Sequence, residues 1–113
     1  MTEKRKRLNF RKKYGKKILE GKKTATIRLG RIEKYRVGDL VDIYAGDEKI
    51  ATAVISKVKH LTFSQLTRED ARKDGFKSKS ELKRALKRIY KKDFKSDSEI
   101  TQIEFFLDKS SNE

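Results

Sequence analysis

Cysteine is absent from this 113-residue chain, which rules out disulfides and thiolate metal sites together. Tryptophan is absent too, and histidine occurs once, at His60. A single His without Cys leaves little for a metal site or a His-based nucleophilic triad, so a structural or solvent-facing role is expected for it. No apolar run approaches membrane-spanning length and no signal-peptide pattern opens the chain, so a cytoplasmic protein without membrane contact is expected. The glycines are too scattered for a dinucleotide fingerprint, and no phosphate-binding loop of the G-x-x-x-x-G-K-[ST] form occurs. Internal repeats and linkers are also missing. The length suits one compact domain over 1–113, with a basic N-terminal extension (1–7) and a polar tail (108–113).

What the chain does have is positive charge. Lys and Arg number 31 against 17 Asp and Glu, a formal net charge of +14. Residues 1–23 hold eleven Lys/Arg against two acids, and residues 72–95 hold eleven against three. The stretch between them is nearly balanced, and the tail is acidic. Two separated basic segments that converge in space make a footprint for a polyanion, with nucleic acid the default candidate. The alternative is a solvated lysine coat on a heat-adapted protein, a composition this chain also resembles.

Periodicity supplies the elements. After LNF, an apolar entry, Arg11 to Glu20 reads as a short helix with Phe10, Tyr14 and Ile18 on one face and Gly21 as its stop; Gly15 inside it is unfavourable. Thr24 to Leu29 alternates as a half-buried strand. Leu40–Gly46 and Lys49–Val58 follow as strands joined by a Gly46-Asp47 turn. Thr67 caps a short helix that Gly75 ends. Ser78 and Glu81 fit a capping box opening a longer helix with Leu82, Ala85, Leu86, Ile89 and Tyr90 on one face. Ile100–Asp108 closes the chain as a strand. The order predicts an α+β fold: a small mixed, mostly antiparallel β-barrel with flanking helices.

The polar face of GKKTATIRLGR (Gly21–Arg31) presents Thr24, Thr26 and Arg28 with Lys22 and Lys23 at its mouth. A lysine whose pKa is lowered by burial relays a proton, a hydroxyl attacks, and an arginine holds a phosphate or a planar base edge. From spacing alone the favoured reading is an ordinary strand with its cations in water. Strict alternation places Lys23 with Ala25 and Ile27, away from Thr26, unless the Gly21 turn twists the chain first.

The stretch Gly21-Lys22-Lys23-Thr24-Ala25-Thr26-Ile27-Arg28 resembles the G-x-K-x-x-E-x-R signature of the ASCH domain, a branch of the PUA-like small barrels. Gly21, Lys23 and Arg28 match, and Thr26 stands where many members have Glu. The preceding ILEG, the following Val37–Asp39, Leu66–Asp70, Asp74–Phe76, the S-x-S-E-L helix and the final I-x-x-I-E-F strand extend the similarity over about residues 8–107. This resemblance implies a PUA-like β-barrel and RNA binding in RNA-linked processes. Lys22, Lys23, Thr24, Arg28, Arg31, Arg5 and Lys6 are then the candidate nucleic-acid contacts, with Tyr14 or Tyr44 stacking on a base. One branch of small members hydrolyses N4-acetylcytidine without a metal or cofactor, using Lys, Thr and Glu in a G-x-K-T-x-T-x-R context. Carried over, that makes Lys23 the base, Thr26 the nucleophile and Asp74 the acid, one methylene shorter than the family's Glu. Glu69 and Asp70 are the alternative acids. RNA or a nucleoside is the expected partner.

Overall fold

A computed structural model describes residues 5–108. It contains β1 (Lys6–Phe10), a 3-10 turn (Lys12–Tyr14) running into α1 (Gly15–Leu19), and then β2 (Ala25–Leu29), β3 (Leu40–Ala45) and β4 (Glu48–Thr62). Next come α2 (Arg68–Lys73), α3 (Lys79–Tyr90) and β5 (Glu99–Leu107).

The five strands form one sheet in the order β1-β3-β4-β5-β2. Three of its four pairings are antiparallel, and β1 runs parallel to β3. Register shifts at Ile43/Tyr44 and Ile55/Lys57 bend the long middle strands. The mostly antiparallel α+β architecture holds, but the expected barrel is open. The curled sheet is a half-barrel whose edge strands, β1 and β2, are bridged by a side chain rather than by a ladder. Arg28 Nη2 donates to the Asn9 carbonyl across that seam at 2.6 Å.

Several expectations shift. The LNF entry is part of a strand, with Leu8 and Phe10 inward and Asn9 outward. Phe10 therefore lies outside the helix expected over Arg11–Glu20, which opens as a tight 3-10 turn and becomes α-helical only from Gly15. Gly15 serves packing: a Cβ there would sit 3.0 Å from the Ala45 Cβ, so glycine lets α1 lie close on β3. β4 reaches well beyond Val58, because its pairing with β5 continues to Thr62. At α3, Ser78 Oγ accepts from the Glu81 amide at 3.1 Å, but the Glu81 carboxylate accepts from the Lys77 amide at 2.8 Å. The cap thus closes one residue earlier than the reciprocal box.

Two apolar clusters occupy the two faces. Leu8, Phe10, Val41, Ile43, Ile55, Ile103 and Phe105 pack with Ile18 of α1 on one side. Ile27, Ile100 and Phe63 pack with Ala71 of α2 and Leu82 and Leu86 of α3 on the other. Strand alternation sends Ile103 and Phe105 to the first cluster and Ile100 to the second. His60 is structural. Its Nδ1 lies 3.1 Å from Thr101 Oγ1, which donates to the Gly30 carbonyl (2.7 Å) and accepts from the Ile32 amide (2.9 Å). That arrangement pins the chain leaving β2.

Candidate active site

The site begins at the turn after α1. Gly21 takes φ +78°, a left-handed conformation that side-chain-bearing residues rarely adopt. The amides of Lys22 and Lys23 both donate to the Lys17 carbonyl, at 2.9 and 3.1 Å. Thr24 then donates to the Lys73 carbonyl at 2.8 Å, tying the start of β2 to the end of α2. Lys23 therefore precedes the strand, and strand alternation does not govern it. Its side chain turns inward and is 3% exposed.

Lys23 Nζ donates to the Asp74 carboxylate and, at 2.8 Å, to the Asp74 carbonyl. Asp74, at the C-terminal cap of α2, is 4% exposed. The ammonium lies 5.1, 5.5 and 5.9 Å from the ring centroids of Tyr14, Phe10 and Phe76, so aromatic faces replace much of its lost water. Burial pushes the Lys23 pKa below its ordinary value, against the opposing pull of Asp74. Burial likewise raises the Asp74 carboxyl to about 6, although Lys23, Arg28 and a hydrogen bond from the Ile27 amide all act the other way.

On β2, Thr26 is buried and its Oγ1 accepts from Arg28 Nε at 2.9 Å. The guanidinium lies 5.2 Å from the Phe10 ring centroid. Lys23, Thr26, Arg28 and Asp74 all line one open cavity of about 180 Å³. Its polar end also holds Asn9 and Tyr14, and its far wall is the apolar face of α3 (Leu82, Ala85, Leu86, Ile89) with Tyr90 and Phe76. It is a small-ligand cleft at the seam of the half-barrel. The Tyr14 hydroxyl is raised by burial and then by Asp74, with Arg11 and Arg88 pulling against them. Arg11, which follows β1, lines the cleft, and the charge of Arg88 on α3 reaches Tyr14.

The remaining expected contacts lie elsewhere. Lys22 is exposed and pairs with Glu20 at 3.4 Å. Thr24 is exposed and lines a separate cavity beside Leu19, Gly21 and Phe106. Arg31 is held by Glu33 (2.8 Å) and Glu99 (3.4 Å), Arg5 by Asp42 (3.3 Å), and Lys6 by Asp39 (2.7 Å). Glu33 shares a loop with Arg31, the other acids come from elsewhere in the fold, and Arg5, Lys6 and Arg31 do not line the cleft. Tyr44 lies outside it, beneath the Arg7 guanidinium at 4.3 Å. Glu69 is exposed, and Asp70 is committed to the Thr67 cap and to Gln102 at 3.2 Å, so neither meets Lys23. Sequence reasoning missed Asn9 and the wall from α3. The aromatic spacing of Phe10 and Tyr14 was the available signal.

Among the described residues no cluster of three His, Asp or Glu is placed to hold a metal, and no helix is long and apolar enough to cross a membrane.

The ASCH domain family matches residues 4–107, and the chain belongs to that family. Its sequence is 33% identical over 70 residues to the N(4)-acetylcytidine amidohydrolase of Moritella marina. That match spans 60% of this chain and 65% of the relative. The ASCH domain of Lactobacillus crispatus superposes with a TM-score of 0.72 at 20% identity, over 82% of this chain and 69% of that one. A variant of the Zymomonas mobilis ASCH protein gives 0.64 at 17% identity, over 88% and 66%. The half-barrel is thus a fold shared across the family.

Proposed function

We propose that this chain is an amidohydrolase that removes the acyl group from an acylated nucleoside amide of the N4-acetylcytidine kind. The observation that carries the reading is the buried Lys23–Asp74 pair lining one cleft with the Thr26 hydroxyl. The name of the Moritella marina relative supports it.

The pair shares its protons. With one acidic proton between the two groups it is net neutral, either as ammonium and carboxylate or as amine and carboxylic acid; burial favours the second form over what water would allow. In that form, Thr26 Oγ attacks the amide carbon and its proton passes to the Lys23 amine. The tetrahedral adduct collapses as the carbon–nitrogen bond breaks and the leaving nitrogen takes the Asp74 proton. Lys23 returns its extra proton to Asp74, restoring the pair. Water then attacks the Thr26 ester and gives its proton to Lys23. The carbon–Oγ bond breaks, Thr26 regains its proton, and the acid is released. Amide plus water has become amine plus carboxylic acid.

Incubating purified protein with N4-acetylcytidine should release cytidine, and the Lys23→Ala variant should release none. Wild-type turnover should fall as the pH drops through about 6, because a second proton on the pair leaves Lys23 without a free amine. Inactivity of folded wild-type protein, or full activity of Lys23→Ala, would refute the reading.

A second reading, RNA binding in RNA-linked processes, rests on a separate observation: Arg11 lines the cleft, the charge of Arg88 reaches the Tyr14 hydroxyl, and Arg84, Lys87 and Arg88 are exposed on α3. A strand crossing those cations would bring its base to the cleft. Affinity for a single-stranded oligonucleotide should fall with added salt, and Lys87→Gln with Arg88→Gln should flatten the log–log slope by about 0.7 per lost phosphate contact. Salt-independent binding, or none, excludes this reading.

A further inference from the structure

Arg28 has the wrong surroundings for a phosphate contact. Its Nε is spent on Thr26 Oγ1 at 2.9 Å and its Nη2 on the Asn9 carbonyl at 2.6 Å, with the guanidinium beside the Phe10 ring. We infer that Arg28 is the positioning residue for Thr26: a strap across the seam that aims the hydroxyl and steadies its oxygen during attack. This rests on the hydrolase reading above.

Arginine only donates. With Nε on one lone pair of Thr26 Oγ1, the hydroxyl hydrogen must point away from Arg28, which leaves it free to turn toward the cleft that Thr26 and Lys23 both line. As the O–H proton leaves for the Lys23 amine and the C–O bond forms, negative charge grows on Oγ before passing to the substrate oxygen. The fixed guanidinium faces that charge from the start and has no need to move. What fixes it is β1. The Asn9 carbonyl belongs to the opposite edge strand, so closing the seam and aiming the nucleophile are one event.

Arg28 also acts at a distance. Its charge holds both Lys23 and Asp74 lower than they would otherwise lie. The other groups facing the pair are Tyr14 from the turn after β1 and Lys17 from α1, with Arg11, Glu81 and Arg88 around Tyr14.

The test compares wild type, Arg28→Lys and Arg28→Met on N4-acetylcytidine across pH. Misplacing an attacking group by about 1 Å lowers kcat by about a hundredfold, which is the expectation for Arg28→Met with KM nearly unchanged. Its acidic limb should also move to higher pH, because the charge that depressed the pair is gone. Arg28→Lys keeps the charge but not the fork, so it should lose kcat while its limb stays in place. A rise in KM with kcat intact would make Arg28 a substrate contact and overturn the inference. A fall in kcat for Arg28→Met with an unmoved limb would reduce Arg28 to a structural role. If wild type itself is inactive, the hydrolase reading falls and takes this inference with it; if wild type turns over and both variants match it, only the inference falls.

Discussion

Replacing Asp74 by alanine while Lys23 remains should destabilise the fold by about 3–5 kcal/mol at neutral pH, the usual cost of stranding one member of a buried ion pair. Lys23 is 3% exposed and pairs with no other carboxylate among the described residues, and the Ile27 amide loses its acceptor as well. The double variant Lys23→Met with Asp74→Leu should recover most of that loss, because two apolar side chains suit the surrounding Phe10, Tyr14 and Phe76 better than a lone cation. The pH dependence separates this mechanism from simple loss of packing. Burial depresses the Lys23 pKa in the folded chain, so folding disfavours the ammonium relative to the unfolded chain. Stability of Asp74→Ala should therefore rise as the pH climbs from the depressed folded pKa towards the unfolded value of about 10.4. The double variant has no group there to titrate and should show no such rise. Urea unfolding at several pH values reads both. Equal stability of Asp74→Ala and wild type would mean that the pair is not buried in solution.

Thr26→Val should leave the fold nearly intact and remove turnover. Valine keeps the shape and strand preference of threonine, and the loss of one hydrogen bond from Arg28 Nε costs about 1 kcal/mol. Under the proposed hydrolase mechanism chemistry is another matter: without the hydroxyl no acyl ester would form, and losing a nucleophile that works as a unit with its base lowers kcat by at least about a thousandfold. Thr26→Ser should keep the ester route and retain partial activity. Chromatography of the products, beside thermal unfolding of each variant, distinguishes the two effects. Turnover by Thr26→Val within a few-fold of wild type would remove Thr26 from the reaction and leave direct attack by water as the route.

How much of this was legible beforehand depends on the range of the interaction concerned. β2 is visible in its own alternation, α3 in its apolar face and its Ser78 cap, and the stop after α1 in Gly21; each is decided by neighbours within a few residues. The motif around Lys23, Thr26 and Arg28, with Asp74 just before Gly75 and Phe76, was readable as a set. Their meeting in one cleft was not, because it depends on Thr24 bonding to the end of α2 and on a turn that strand alternation does not describe. β1 was hidden for a similar reason. Five residues with two buried apolar side chains look like a lead-in until β3, some thirty residues on, supplies a parallel partner. The exposed cations misled most. Arg5, Lys6 and Arg31 look free in the sequence, yet Asp42, Asp39, Glu33 and Glu99 take them up in the fold. Arg28 looked like a hand held out to a phosphate, and its partner proved to be a main-chain carbonyl on the facing edge strand.

The register of β2 has a consequence for the order of events during synthesis. Thr26 pairs with Ile103 and Arg28 with Thr101, so the strand bearing the hydroxyl is made early and aligned late. Until β5 has left the ribosome, β2 lacks its only ladder partner among the described strands and is held by its contacts with Asn9, Lys73 and Asp74. The cleft lining itself spans Asn9 to Tyr90, so β1, the turn before β2, the end of α2 and the face of α3 must all be made before the cleft can assemble.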